Sequence, residues 1–220
     1  MKLIAEMDDS LSSKVRCTMF DENGKRTVYT LSIDSFVTAV NSTVEAPDFS
    51  SMPPLELPEG YVASWFNNYN NSIGFTGTVV IKMPAAKRII SYEQDSYYIP
   101  IPELLFKLWF ANGKLVKDRV FATRKGQLCR YPFTNVYDDG HICWGSCELP
   151  LIKSLKETEQ IPELFMRFTG NSDLSNPVTL AVSGCRKMAD VFKILENMEH
   201  FPDEWLEMTN LNYEEFINLN

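Results

Sequence analysis

The residues that could do chemistry in this 220-residue chain are concentrated between positions 131 and 146. They are an asparagine, two acids, a glycine, a histidine and an isolated cysteine: Asn135, Asp138, Asp139, Gly140, His141 and Cys143. The Asp139-Gly140 pair predicts a tight turn, because glycine takes positive φ without steric cost. Such a turn folds the chain back, so that Asn135 and Cys143 can face each other. A carboxamide donor beside a thiol is typical of an acyl-transfer site, with a nucleophile and an oxyanion stabiliser. A plain turn beside a buried cysteine would use similar residues.

Four β-prone runs precede this stretch and must position it. They are Thr78 to Met83, Lys87 to Tyr92, Leu104 to Phe110 and Lys114 to Phe121. Two of the three connections are short, and the longer one ends at Pro102. Because short connections favour antiparallel neighbours, the sequence predicts a four-stranded meander that runs into the turn.

The N-terminal part of the chain carries no catalytic motif. Two alternating runs, Lys14 to Phe20 and Arg26 to Ile33, flank Asn23-Gly24 and predict a hairpin. A short helix is expected over Phe36 to Val44. These elements are interpreted as an extra packing layer or a partner surface.

Two further segments lie on either side of the predicted meander. The proline-rich segment Pro53 to Gly60 predicts a linker or an extended strap, and the pattern of Tyr61 to Phe66 leaves its secondary structure open. Arg124 to Gln127 predicts a basic turn, which is either a solvated loop or a docking patch for an acidic partner.

Three helices are predicted after the cysteine, over Leu149 to Leu155, Pro162 to Phe168 and Cys185 to Met198. The last has apolar residues at helical spacing and is expected to pack on the core rather than to bind a cofactor. Cys17 and Cys185 lie in apolar periodic settings and are expected to be small core residues.

The composition of the chain limits the classes of function that it can have. With 45% apolar residues the chain can bury a sizeable core, and a net charge of −8 argues against binding nucleic acid through its phosphates. Nothing at the N-terminus resembles a signal peptide, and no apolar run approaches the roughly 20 residues of a membrane span. Five cysteines, an odd number, fit free thiols in a reducing cytoplasm.

The run Asn-Val-Tyr-Asp-Asp-Gly-His-Ile-Cys resembles the active site of ubiquitin-conjugating enzymes. In those enzymes an asparagine precedes the thioester-forming cysteine by eight residues, and the run ends Gly-x-Ile-Cys or Gly-x-Val-Cys, as it does at Asn135 and Cys143. The match is closest to prokaryotic ubiquitin-conjugating family D, which includes protein B of PRTRC cassettes. That pattern is fitted by Pro132, Asn135, Val136, Gly140, Cys143 and Gly145. In the eukaryotic enzymes this asparagine ends a His-Pro-Asn triplet, and here Phe133-Thr134 stands in place of the His-Pro. The N-terminal helix on which activating enzymes dock is not recognisable.

This resemblance implies an α+β fold, with an antiparallel β-meander packed on helices and with elaborations at both ends. Residues 1–76 would be an N-terminal hairpin, helix and strap, and residues 77–220 the catalytic domain. Cys143 would accept a ubiquitin-like modifier from a ThiF-like activating enzyme and pass it to an amine, most simply a lysine, of a target protein. Asn135 would stabilise the oxyanion, and no cofactor, nucleic acid or membrane is implied.

Other roles and functions stay open at this point. Asp138 and Asp139 can orient or deprotonate the amine or merely shape the turn, and His141 can share a face with Cys143 as in a Cys–His hydrolase. One rival function is a non-catalytic adaptor of the same fold that binds a ubiquitin-like protein or an activating enzyme. The other is a zinc module, whose candidate ligands are Cys129, His141, Cys143 and Cys147.

Overall fold

The computed structural model of the chain describes residues 2–7, 14–20, 26–37, 56–70 and 74–218. It divides into two compact units, Met1–Pro54 and Leu55–Asn220. The predicted boundary between residues 76 and 77 falls inside a strand of the second unit. The unit boundary lies earlier because Tyr61–Asn70 pairs with Gly74–Met83 as an antiparallel hairpin.

The first unit contains a three-stranded antiparallel sheet. Its strands, in spatial order, are β1 (Lys2–Met7), β2 (Lys14–Phe20) and β3 (Arg26–Ser32). The predicted pairing of the second and third strands is confirmed, with Cys17 opposite Tyr29. Cys17 is buried, as expected of a small core residue. A helical turn, α1, occupies residues 33–37, and residues 38–44 of the predicted helix lie outside the described residues.

The second unit is built on two antiparallel sheets. The larger contains β4 (Tyr61–Asn70), β5 (Gly74–Met83), β8 (Leu104–Ala111), β9 (Lys114–Arg124), β10 (Gln127–Cys129) and β11 (Met208–Asn212). Its order is β11-β10-β9-β8-β5-β4. The smaller sheet pairs β6 (Ala86–Tyr92) with β7 (Asp95–Ile101).

Each of the four predicted strands exists, but the predicted four-stranded meander is wrong. The second predicted strand, β6, leaves the large sheet and pairs with β7, while β5 pairs directly with β8. Sequence analysis placed the β7 region in the longer connection, the loop that ends at Pro102. Pro100 is tolerated there because a two-stranded ribbon consists of edge strands, where a missing N–H need not break a ladder.

Four helices follow the cysteine-bearing loop in the second unit. They are α2 (Gln160–Arg167), α3 (Pro177–Ser183), α4 (Met188–Glu196) and α5 (Tyr213–Asn218), with 3₁₀ turns at Lys156–Glu159 and Asp203–Trp205. The second and third predicted helices correspond to α2 and α4. The predicted helix over Leu149 to Leu155 is wrong. This segment is irregular, and Ile152 bonds through its carbonyl to the amide of Phe75 and through its amide to the carbonyl of Gly113 instead of within a helix.

Side chains along each strand of the large sheet point alternately to its two faces, and each face packs against a hydrophobic cluster. Val79 and Ile81 of β5 belong to the main core with α2 and α4, while Val80 points into a smaller cluster with Phe121 and Phe216. As predicted, α4 is a core helix, and it buries Met188, Val191, Phe192 and Leu195. The α+β class with antiparallel sheets is therefore confirmed. No helix in the described ranges is both long and apolar enough to cross a lipid bilayer.

Candidate active site

The stretch that bears the cysteine is a short, closed loop fastened by its own backbone. Val136 and Ile142 form an antiparallel bridge, the Tyr137 amide donates to the His141 carbonyl at 2.9 Å, and the Cys143 amide donates to the Asn135 carbonyl at 2.8 Å. The predicted fold-back is therefore present. Ile142 is buried beneath the loop, whereas Cys143 is partly exposed.

Gly140 fixes this loop to the large sheet. Its φ is +86°, its amide donates to the Tyr137 carbonyl, and its own carbonyl accepts from the Val120 amide, both at 2.8 Å. A Cβ at this position would lie 2.6 Å from Cζ of Phe121. Glycine is therefore required here both by the backbone angle and by the close approach of β9.

A buried carboxylate on β9 anchors the cysteine from below. Asp118 is 2% exposed, and its oxygens accept from the Ile142 amide at 2.7 Å and from the Trp144 indole N–H at 2.9 Å. The His141 Nδ1 atom lies 2.9 Å from the same carboxylate. Groups from residues on both sides of Cys143 thus converge on one buried charge. A buried carboxylate needs such partners, because leaving it unsatisfied would cost several kcal/mol.

Sequence analysis missed Asp118. In the run Lys117-Asp118-Arg119 it has the pattern of a solvated strand face. The sequence could have pointed to Asp118 in one way: the alternation of β9 allows the side chain at this position to face inward, where an acid is unusual.

Tyr137, which was also missed, reaches the sulfur. Its phenol lies close enough to the Cys143 thiol for this neighbour to be the main cause that raises the pKa of the phenol. The Tyr137 ring also lies parallel to the His141 ring, with centroids 5.9 Å apart and an interplanar angle of 16°. The side chains of Tyr137, His141 and Cys143 therefore share one side of the loop.

The side-chain carboxamide of Asn135 is bonded to a carbonyl outside the loop and not to the sulfur. The residue has φ +65° and is 9% exposed, and its Nδ2 atom donates to the Thr169 carbonyl at 3.4 Å. The contacts of the described residues join Asn135 to Cys143 through backbone atoms. The carboxamide itself lies against the segment that contains Thr169 and Gly170.

The two acids of the turn are each paired with an arginine. Asp138 accepts from Arg130 at 2.9 Å, and Asp139 pairs with Arg119 at 2.9 Å. Asp139 also accepts from the His141 amide at 3.0 Å, a local bond typical of an Asx turn. These contacts shape the turn.

A cleft of about 650 Å³ opens beside this turn. Tyr137, Asp138 and His141 line one part of it, and Arg130 and Asn176 line another. Arg130 is itself ion-paired to Asp138 and, from its Nε atom at 3.4 Å, to Glu207. The cleft therefore has a lining of polar and apolar side chains that reaches His141 but does not include Cys143.

The four candidate zinc ligands do not come together as a cluster. Within the described ranges, no three His, Cys, Asp or Glu side chains are grouped so as to hold a metal ion. Cys129 is buried in β10, and that burial raises the pKa of its thiol. Cys185 is partly buried and packs against the main core.

The antiparallel sheet, the helices packed on it and the anchored loop thiol define an α+β protein with one candidate reactive cysteine. Residues 61–208, more than half of the chain, match the model of prokaryotic E2 family D. The chain belongs to this family. Searches of curated proteins and of solved structures each gave no match. Family membership gives the chain a function related to ubiquitin-like protein conjugation, with a ubiquitin-like modifier and an activating enzyme as partners in general terms.

Proposed function

We propose that the protein is a ubiquitin-like conjugating enzyme that carries its modifier as a thioester on Cys143. The observation that supports this most directly is a partly exposed thiol on a loop that is anchored on both sides of the sulfur. A nucleophile must be reachable by a protein tail and yet be fixed in direction, since misplacement of reacting groups lowers the rate steeply. The Asp118 contacts provide the fixation, and the exposure of Cys143 provides the access.

In the proposed reaction the Cys143 thiolate attacks the activated carboxyl carbon at the C-terminus of the modifier. A carbon–sulfur bond forms, and the group that the activating enzyme had attached leaves. An amine of the target, a lysine in the simplest case, then attacks the same carbon. The carbon–nitrogen bond forms, and the sulfur departs as a good leaving group.

Asn135 is proposed to steady the negative oxygen of the second step. One N–H of its carboxamide is directed at the Thr169 carbonyl, and the other is the donor assigned to the oxyanion. The 3.4 Å bond to Thr169 is long and therefore weak, so giving it up to redirect the side chain costs little. Loss of one oxyanion donor typically lowers the rate by about 10²–10³.

The finer assignments follow from the same hypothesis. The fold is proposed to be a variant of the ubiquitin-conjugating fold, with the Leu55–Asn220 unit as the catalytic part and the Met1–Pro54 unit as an elaboration. The activating enzyme is proposed to be ThiF-like, and the chain to act as protein B of a PRTRC cassette in the bacterial cytoplasm.

A charging assay tests the proposed function. The protein is mixed with its activating enzyme, the modifier and ATP, and a non-reducing gel is examined for a heavier band that thiol reagents abolish. Cys143→Ser should replace this band by a thiol-resistant ester, whereas Cys147→Ser, the matched control four residues on, should charge as the wild type does. If the wild type forms no adduct, the adaptor function is favoured instead.

Asn135 is tested in the transfer step. Asn135→Ala should still charge, but its thioester should pass to free lysine about 10²–10³ times more slowly. Equal transfer rates for the variant and the wild type would remove Asn135 from the mechanism.

A further inference from the structure

The contact between His141 and Asp118 resembles the way a carboxylate orients a catalytic imidazole. Asp118 is 2% exposed, and its Oδ1 atom lies 2.9 Å from His141 Nδ1. A carboxylate accepts hydrogen bonds, so in the neutral ring Nδ1 carries the proton and Nε2 has the free lone pair. The His141 side chain is 45% exposed, so this lone pair is open to an incoming molecule.

The imidazole also belongs to the sulfur face of the loop. Tyr137 connects the two groups, because its ring lies parallel to the His141 ring and its hydroxyl contacts the Cys143 thiol. His141 and Cys143 are two residues apart in an extended segment that is bridged to Val136 through Ile142, which directs their side chains to the same side. His141 also lines the cleft of about 650 Å³, which offers an approach for a long amine-bearing side chain.

The other acids of the loop are less suited to accept a proton. Asp138 is held by Arg130, and Asp139 is held by both Arg119 and the His141 amide. An amine that approached either carboxylate would have to compete with its arginine partner.

We propose that His141, oriented by Asp118, is the base that accepts the proton of the attacking amine when the thioester on Cys143 is discharged. This inference rests on the proposed function, and it assigns separate roles within it. His141 is a catalytic residue because it contacts the amine, and Asp118 is a positioning residue that acts through His141.

The amine nitrogen attacks the thioester carbonyl carbon, a carbon–nitrogen bond forms, and the carbon–sulfur bond breaks with its electron pair passing to sulfur. The proton released by the nitrogen goes to Nε2 of His141. It is then passed to the Cys143 thiolate or to water, which restores the thiol and the neutral imidazole.

The pH dependence of this step involves every charged group that faces the ring. On β9 these groups are Asp118, which contacts the ring, and Arg119, which is ion-paired to Asp139 in the same turn as His141. From the loop and across the cleft they are Tyr137, Asp138 and Arg130. Because the proposed base acts only in its neutral form, the discharge rate should rise with pH.

The decisive variant is His141→Asn. Its side-chain Nδ2 keeps a donor towards Asp118, while the base at Nε2 is lost. The matched control is His200→Asn, which alters the other histidine of the chain at an exposed position. Each protein is charged, the activating enzyme is quenched, and single-turnover discharge to free lysine and to hydroxylamine is followed from pH 5.5 to 8.5.

The expected result is that His141→Asn charges normally, discharges to lysine at least about 100-fold more slowly at pH 7, and keeps only the part of the rise with pH that comes from deprotonation of lysine itself. Discharge to hydroxylamine, which is already unprotonated at neutral pH, should fall much less. His200→Asn should keep the wild-type rates and pH profile. A His141→Asn protein with the wild-type lysine rate and pH profile would overturn the proposal.

Asp118→Asn tests the positioning role. An amide at position 118 can donate to Nδ1, which favours the tautomer with the proton on Nε2 and removes the acceptor. The variant should therefore show the same selective loss for lysine as His141→Asn. Equal losses for lysine and hydroxylamine would indicate only a displaced loop and would count against the positioning role. A wild-type protein that never charges would refute the proposed function itself, whereas one that charges and discharges without His141 refutes only this inference.

Discussion

Replacing Gly140 with alanine separates two physical costs that the loop imposes at one position. Gly140 has φ +86°, and an added Cβ would lie 2.6 Å from Cζ and 2.7 Å from Cε2 of Phe121. The matched control is Gly126→Ala. Gly126 has φ +80°, and its added Cβ would meet nothing within 4 Å. The two variants share the backbone cost and differ in the steric cost.

The magnitudes follow from this difference. An L-residue in the left-handed region costs about 1–2 kcal/mol, offset by about 0.4–1 kcal/mol of lost freedom in the unfolded chain, so Gly126→Ala should cost about 1 kcal/mol. Gly140→Ala should add about 1–3 kcal/mol of overpacking. Phe121 cannot easily move aside, because it is 2% exposed and its ring lies edge-on to that of Phe216 with centroids 5.3 Å apart. The expected total for Gly140→Ala is about 2–4 kcal/mol.

Urea unfolding followed by tryptophan fluorescence measures both variants in the relevant unit. The four tryptophans of the chain, at positions 65, 109, 144 and 205, all belong to the Leu55–Asn220 unit. Free energies of unfolding that agree within about 0.5 kcal/mol for the two variants would contradict the inferred contact with Phe121. Gly140→Ala should also slow charging of Cys143, since its loop can no longer seat on β9.

Three further predictions follow from single contacts. Burial lowers the pKa of Lys107 to about 8, helped by a neighbouring lysine, so above pH 8 the unfolded chain binds more protons at this site than the folded chain. The free energy of unfolding should therefore rise with pH from about 8 to 10, by an amount that approaches 3 kcal/mol, and Lys107→Met should lose this rise in urea titrations. Asn176→Ala removes the N-cap of α3 and a buried hydrogen bond to the Tyr131 carbonyl. It should lower the free energy of unfolding, measured in urea, by about 2–3 kcal/mol. The control Asn197→Ala, at an exposed position, should change it by no more than about 0.5 kcal/mol. Burial raises the pKa of the Cys129 thiol, so iodoacetamide should modify the partly exposed Cys143 at least about tenfold faster than Cys129. Mass spectrometry that finds Cys129 labelled first would contradict the burial of Cys129.

Local patterns were sufficient for much of the framework of this protein. The strand runs and the α4 helix were readable because alternation and helical spacing depend only on neighbouring residues. The turn at Asp139-Gly140 was readable for the same reason, since positive φ is a property of the glycine itself. The spacing of Asn135 and Cys143 sufficed to suggest the family to which residues 61–208 belong.

The pairing of those elements needed the folded chain. The sequence alone did not show that β6 leaves the large sheet or that Leu149 to Leu155 forms no helix. In both cases the outcome depends on hydrogen-bond partners far along the chain, such as Phe75 and Gly113 for Ile152.

The same division holds at the site. The residue types at 135, 138, 139, 141 and 143 marked a candidate reactive loop, but only the tertiary structure placed Asp118 beneath it, 24 residues before Ile142 in the chain. It also turned the Asn135 carboxamide towards Thr169 and brought the Tyr137 hydroxyl to the sulfur. The sequence determined which chemical groups the site contains, because the chemistry of a thiol, an imidazole or a carboxylate belongs to the residue itself. Tertiary structure decided what each group faces, because a buried carboxylate takes its donors from whichever segments the fold brings to it.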